Sequence, residues 1–408
     1  MKCRHCGAEL SQPFIDLGSA PPSNAYLTER TLRKPEKWYP LRVLVCDCCW
    51  LVQTEDFADS HELFNSEYAY FSGFSTTWLE HCKQYVADVT ERFALTRASH
   101  VVEVAANDGY LLQYVRARNI LCTGIEPTAG TAAAARAKGI DIVEDFFGGR
   151  LAGELVARGK AADLMIANNV LAHVPDINDF LAGFALLLKP DGIATFEFPH
   201  LLSLASQNQF DTIYHEHFSY LSLTAVNQIM QQNGLNIFDV EKLSTHGGSL
   251  RVFAQRSLSG SRKKMTRVSD LLAEEMNAGM QTPSFYNGFQ IKADRIKNDL
   301  LVFLLELKRT GKSVAAYGAA AKGNTLLNYA GIKPDLLPYV VDRNPAKLGK
   351  FLPGSRIPIV SEDRIRKRKP DFILILPWNI KEEVMAQLAY VREWGGRFVT
   401  AIPELVDF

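Results

Sequence analysis

A chain of 408 residues is long enough for two or three domains, and 47% hydrophobic with 22% charged residues is the profile of a globular protein with true cores. Its 45 basic and 45 acidic side chains cancel to a net charge of zero, which argues against a nucleic-acid partner held by phosphate electrostatics. No apolar signal segment follows Met1, and the longest plain apolar run, Leu300–Leu305, is too short to span a bilayer, so a cytoplasmic protein without a membrane partner is expected.

The first block, residues 1–65, holds five of the seven cysteines and shows little helical periodicity. Cys3-Arg-His-Cys6 and Cys46-Asp-Cys48-Cys49 repeat the CxxC spacing, and two such turns can bring four thiolates to one tetrahedral zinc. The expected ligands are Cys3, Cys6, Cys46 and Cys49, with Cys48 as a competitor for the last place. Four thiolates close the coordination sphere, so this zinc would be structural rather than catalytic. The bland alternative is a set of buried thiols.

From residue 75 to 240, short apolar runs alternate with helical stretches: His100–Ala105, Leu121–Ile125, Asp163–Ala167, Gly192–Phe198 and Ile237–Val240. This reads as βαβ units on a parallel sheet. Glu103 lies in the first strand, and Asn107-Asp108-Gly109 makes a small-residue turn where a backbone can approach a ligand. Glu126 ends the second strand about 20 residues on, where a carboxylate can accept both ribose hydroxyls. Asp145 with Phe146 would take the adenine edge and face. Asn168 and His173 would close the crevice after the fourth strand. Each has a duller reading, as a helix-end charge or a core side chain. Without a glycine triad, the nucleoside expected is S-adenosylmethionine rather than NAD. Farther on, two histidines, a tyrosine and a glutamate crowd into Tyr214–His217, and a plain core strand would have to satisfy all of them.

Residues 245–408 repeat the strand and helix alternation, with Leu250–Phe253 as the first strand and Ser313–Tyr317, Tyr339–Val341, Phe372–Leu376 and Arg397–Ala401 to follow. Apolar residues Ile296, Leu300, Phe303, Leu304 and Leu307 predict a long helix before the second sheet. The overall class expected is α/β: a small zinc-binding domain, an S-adenosylmethionine-binding Rossmann-like domain and a second Rossmann-like domain. Three loops suit a nucleotide-sugar diphosphate: His246-Gly247-Gly248-Ser249, the turn Gly318–Thr325 with Lys322 and Thr325, and Asp342 with Lys347. Ordinary turn chemistry explains the same residues.

The chain resembles the sugar C-methyltransferases of deoxysugar pathways over essentially its whole length. The motifs that carry the resemblance are CRHCG, CDCCWLVQ, Tyr68-Ala-Tyr70, VEVAANDGYLL, Thr212-Ile-Tyr-His-Glu-His217-Phe, Thr245–Ser249, Gly318–Thr325 and Leu376-Pro-Trp-Asn379. The resemblance implies a methyl transfer from S-adenosylmethionine to a TDP- or GDP-linked 4-keto-6-deoxyhexose, most often at C-3. It implies His217 as the base that forms an enolate, Tyr214 as its partner, Glu216 as an anchor and Tyr68 as a sugar contact. A helical turn would put Tyr214 and His217 on one face. Two departures stand out: Trp50, where relatives carry Gly, and Ala105-Ala106, where they carry Gly and Ser or Ala. The competing readings are an NAD-dependent sugar dehydrogenase or epimerase, and a zinc-knuckle nucleic-acid binder. Oligomeric state is left open, with a monomer as the working assumption.

Overall fold

The computed structural model describes residues 1–57 and 72–408. The span between the two knuckles folds as a hairpin, β1 (Gln12–Ala20) antiparallel to β2 (Tyr39–Val45), followed by β3 (Val52–Thr54). Apolar residues alternate along it, so Phe14, Ile15, Leu17, Leu41 and Val43 are buried.

The central sheet has parallel strands β4 (His100–Val104), β5 (Leu121–Ile125), β6 (Asp141–Val143), β7 (Ala162–Asn168) and β8 (Leu188–Pro199). A two-residue strand, β9 (Ser219–Tyr220), leaves this domain to pair with β3, so the N-terminal sheet runs β1-β2-β3-β9. The hairpin β10 (Leu235–Leu243) and β11 (Ser249–Arg256) then joins β8 antiparallel, giving the order β10-β11-β8-β7-β4-β5-β6. The order reverses between β4 and β7, and a crevice opens beyond their carboxyl ends, as open α/β sheets require.

The strand read at Leu250–Phe253 joins the central sheet. Leu250–Phe253 is no first strand of a C-terminal sheet. Only residues 244–248 separate it from β10, too few for a parallel crossover, so the two strands must form a hairpin. The following helix, Thr266–Asn277, also stays on the central core through Val268 and Leu271.

The long helix runs over Phe289–Arg309 and buries Phe289, Ala293, Ile296, Leu300, Leu304 and Leu307. Its C-terminal sheet is β12 (Val314–Tyr317), β13 (Val340–Val341), β14 (Ile359–Val360), β15 (Phe372–Ile375), β16 (Arg397–Thr400) and β17 (Val406–Asp407), in the order β14-β13-β12-β15-β16-β17. All its pairings are parallel except that of β17. One apolar cluster joins this sheet, the long helix and the inner face of the N-terminal hairpin, with Phe14 stacked on Phe289 at 4.5 Å. The small first domain therefore borrows its core from the last. Among the described residues no helix is long and apolar enough to cross a membrane.

Candidate active site

At the knuckles, the sulfurs of Cys3, Cys6, Cys46 and Cys49 all lie within 4.8 Å of one another. Cys3 and Cys49 are 3.6 Å apart, and Cys6 and Cys46 3.5 Å. Tetrahedral zinc with bonds of about 2.3 Å needs sulfurs about 3.8 Å apart, so the cage fits that ion. The Gln53 amide donates to Cys3 Sγ at 3.2 Å, an outer contact that orients a ligand. Cys48 is exposed beside Asp47, and His5 bonds Asn178 instead of facing the cage.

The crevice at the β4/β7 reversal holds a cavity of about 340 Å³. Glu126 is buried at its edge and accepts backbone N–H groups from Asn107 and Thr128, both at 2.9 Å. Each oxygen keeps a further lone pair for a hydroxyl. Ala105, Asn107 and Gly109 have φ of 58°, 48° and 74°, so the turn after β4 is tightly coiled. That coil sends Asn107 into the cavity wall and Asp108 away from it, to Lys138 at 3.2 Å. Glu103 is fully buried without a sound hydrogen bond among the described residues; burial pushes its carboxyl well above the usual range, against the pull of the Tyr110 hydroxyl. Both polar atoms of the Asn168 amide are likewise buried and unpartnered among the described residues. Asp145 lines the cavity while pairing with Arg150 at 2.6 Å, and Phe146 lines it half exposed. Glu126, Asp145, Asn107 and the unpartnered Asn168 amide around a nucleoside-sized void suit a cofactor bearing positive charge and ribose hydroxyls, as S-adenosylmethionine does, whereas Glu103 is not among the residues that line it.

His173, at the far wall, donates Nδ1–H to the Glu216 carbonyl at 2.7 Å, and burial brings its pKa down to about 4. Its ring lies 4.6 Å from that of His217. His217 in turn donates Nδ1–H to the Thr212 carbonyl at 2.8 Å, so its Nε2 carries the lone pair. Burial, then the neighbouring His173, holds the His217 imidazole well below its usual pKa, so it is neutral at physiological pH. The Tyr214 ring packs on it with centroids 4.0 Å apart. A β-turn, closed by His217 N–H to the Tyr214 carbonyl at 2.9 Å, makes this pair, in place of the helical turn expected. Glu216 is buried and accepts from the Asn24 side chain at 3.1 Å; burial raises its pKa. His215 turns away, to the Tyr39 and Pro40 carbonyls. Tyr68 lies outside the described residues.

The loops assigned to substrate divide into two kinds. His246, with φ 56°, stacks on Trp78 at 5.3 Å and accepts from Asn169 at 3.1 Å, beside the crevice cavity. Gly247 must be glycine: a Cβ would stand 2.4 Å from the Trp378 ring. Lys322 donates to Asn379 Oδ1 at 2.7 Å. The others have polar atoms committed to the fold. Ser249 bonds the Thr245 carbonyl, and Thr325 the Ile213 carbonyl. Asp342 clamps Ala319 N and Asn344 N, and Lys347 reaches the Ala319 carbonyl at 2.8 Å. Asp211, Asn24, Trp78 and Asn169 were not singled out from the sequence. No spacing or motif marks them, because each acts through a partner more than 20 residues away.

Three family models match in order: a zinc binding domain over residues 3–64, a methyltransferase domain over 78–240 and a C-methyltransferase C-terminal domain over 244–403. The C-methyltransferase NovU of Streptomyces niveus is 33% identical over 403 residues, covering 99% of this chain and 96% of that protein. Among solved structures, magnesium protoporphyrin IX methyltransferase from Synechocystis PCC 6803 with bound SAM is 17% identical, with TM-score 0.34 over 44% of this chain and 79% of that one. The PH0226 protein of Pyrococcus horikoshii OT3 is 13% identical, with TM-score 0.37 over 49% of this chain and 99% of that one.

Proposed function

This chain belongs to the C-methyltransferase family, and from that premise we propose that it methylates C-3 of a TDP- or GDP-linked 4-keto-6-deoxyhexose. It is an S-adenosylmethionine-dependent C-methyltransferase with a zinc-binding N-terminal domain. The observation that carries the substrate chemistry is His217: a neutral imidazole, its tautomer set by the Thr212 carbonyl, beside the wall of the cofactor cavity. A carbon flanking a ketone is acidic enough for such a base, and a plain alkyl carbon is not.

When bound, the cofactor supplies an electrophilic methyl carbon and a neutral thioether leaving group. Glu126 would hold its ribose, Asp145 and Phe146 its adenine, and Asn107 and Asn168 its charged end, with Asp108 and Gly109 shaping the turn. His217 Nε2 would take the C-3 proton. Tyr214 would pack the sugar against the imidazole, Glu216 would fix the turn through Asn24, and Tyr68 would touch the sugar. His246 and Gly247 would line the sugar's path, while Ser249, Thr325, Asp342 and Lys347 brace the loops around the nucleotide. His173 would exclude water between base and cofactor.

The test is mass spectrometry and NMR of products formed from S-adenosylmethionine and a panel of TDP- and GDP-linked 4-keto-6-deoxyhexoses. One added methyl at C-3 is expected. No mass gain with any member, from protein that binds S-adenosylhomocysteine, would refute the substrate class; a methyl at C-5 would move the base's target.

A further inference from the structure

Lys322 opens the helix Ala321–Tyr329, and Thr325 follows one turn later on the same face. Thr325 rests on the Ile213 carbonyl, so this face stands on the segment that carries Thr212 and His217. The Lys322 ammonium lies 4.6 Å from the centre of the Trp378 ring and donates to Asn379. Trp378 is itself pinned by its indole N–H to Asp211 at 2.8 Å, and its ring closes against Gly247. Lysine has three N–H donors, and Asn379 takes one. The carboxylate whose charge reaches it, Asp211, accepts the Trp378 indole N–H and is not hydrogen-bonded to the ammonium. Asn379 and the Trp378 ring therefore leave the ammonium with N–H donors still to place, which suits an oxygen arriving with the substrate. The Asp211 carboxyl and the His217 and His246 imidazoles all feel its charge.

We infer that Lys322 hydrogen-bonds the C-4 oxygen of the keto-sugar and stabilises the negative charge that gathers there. The inference rests on the C-methylation reading above. As the C-3–H bond breaks, the proton goes to His217 Nε2 and the electron pair forms a C-3–C-4 double bond. The carbonyl π pair moves onto oxygen, where Lys322 donates. When C-3 takes the methyl carbon, the carbonyl re-forms, the old carbon–sulfur pair stays on sulfur, and His217 later yields its proton to water. The alternative anion is the diphosphate. It hangs from C-1, across the ring from C-4, whereas the C-4 oxygen sits on the carbon next to the one the base attacks. A cation that shares the neighbourhood of His217 meets that oxygen.

The test uses full-length, zinc-loaded enzyme. Deuterium uptake at C-3 from D2O is followed by NMR with S-adenosylhomocysteine bound, alongside methyl transfer and the affinity for TDP and GDP. Loss of one oxyanion donor lowers rates by about 100- to 1000-fold, and Lys322→Met should lower both exchange and kcat on that scale with nucleotide affinity kept. Lys322→Arg should restore part of the rate. Full exchange at saturating sugar with weakened nucleotide binding would make Lys322 a phosphate grip and overturn the assignment. S-adenosylhomocysteine binding reports folding. Should Lys322→Met not fold, Asn379→Ala removes the acceptor that aims the ammonium: slowed exchange at unchanged nucleotide affinity supports the assignment, and unchanged exchange overturns it. A wild-type enzyme that exchanges no C-3 proton in any keto-sugar sinks the substrate reading itself, and Lys322 with it.

Discussion

Glu126→Gln and Asp342→Asn form a matched pair. Each carboxylate ends the second strand of its sheet and accepts two backbone N–H groups. One comes from the loop after the first strand and one from two residues ahead, at 2.9 and 2.9 Å for Glu126 and at 2.8 and 2.8 Å for Asp342. An amide turns one of these acceptors into a donor that faces a donor. A buried unpaired donor costs about 1–3 kcal/mol, so both variants should lose stability on that scale in urea denaturation. Only Glu126 lines the cofactor cavity. There the variant also loses a charged hydrogen bond to ribose, worth about 1.5–3 kcal/mol, or roughly 10- to 150-fold in the Kd for S-adenosylhomocysteine. Asp342→Asn should leave that Kd within about twofold, because distant sites are nearly independent. Isothermal titration calorimetry on both variants decides it. Equal loss in the two, or a destabilised Glu126→Gln that binds normally, would reduce Glu126 to a loop clamp.

His217→Ala should lower turnover by about 100- to 10000-fold, the usual share of a general base, while S-adenosylhomocysteine still binds; retained activity removes the base role. Because His217 must be neutral and its pKa is held well below normal, kcat should stay flat through neutral pH and fall only on the acid side. An acid limb already present at neutral pH would contradict that. His173 and His246, each at about 4 in the fold, titrate near 6.5 when unfolded. The unfolded chain then binds more protons, so stability should fall as pH drops from about 6.5 towards 4, by about 1.4 kcal/mol per pH unit for each histidine. A urea midpoint that rises on acidification over this window would refute the buried-neutral assignment. Cys3→Ser or Cys46→Ser should lower zinc content and the yield of folded protein together, and normal folding without zinc would exclude a structural ion.

What could be read from the sequence was whatever a short stretch encodes alone. CxxC spacing puts two sulfurs on one turn, so the four-cysteine cage was visible. Glu126 follows β5 at the end of the sheet where the crevice opens, and it lines the cavity. Asn107 and Asp108 were indistinguishable, because the positive φ of Ala105 and Asn107 decides which one faces the ligand. Both departures noted in the sequence put a non-glycine residue at a left-handed backbone position. Trp50 has φ 60° and Ala105 φ 58°, where glycine is at ease and other residues lose about 1–2 kcal/mol. Trp50 offsets this by stacking parallel to Tyr286, 6.2 Å between centroids, on the shared core. The hairpin of β10 and β11 was missed because an apolar run says nothing about strand direction.

The rest of the site was hidden because it belongs to no single domain. Between Phe210 and Tyr220 the chain touches all three modules. Asp211 takes the Trp378 indole N–H and Ile213 receives the Thr325 hydroxyl, both from the C-terminal domain. Glu216 holds Asn24, and β9 extends the N-terminal sheet. The Glu216 carbonyl takes His173, and Phe218 N–H bonds Ala172, both on the central domain. The orientation of His217 is therefore a property of the assembled chain. Loosening any one of the three contacts lets the turn Tyr214–His217 relax, and a general base displaced by an ångström forfeits much of its rate. With His217 in the base role proposed above, the cage would bear on catalysis at a distance: it holds the knuckle that carries β3, and β3 holds the strand that follows His217.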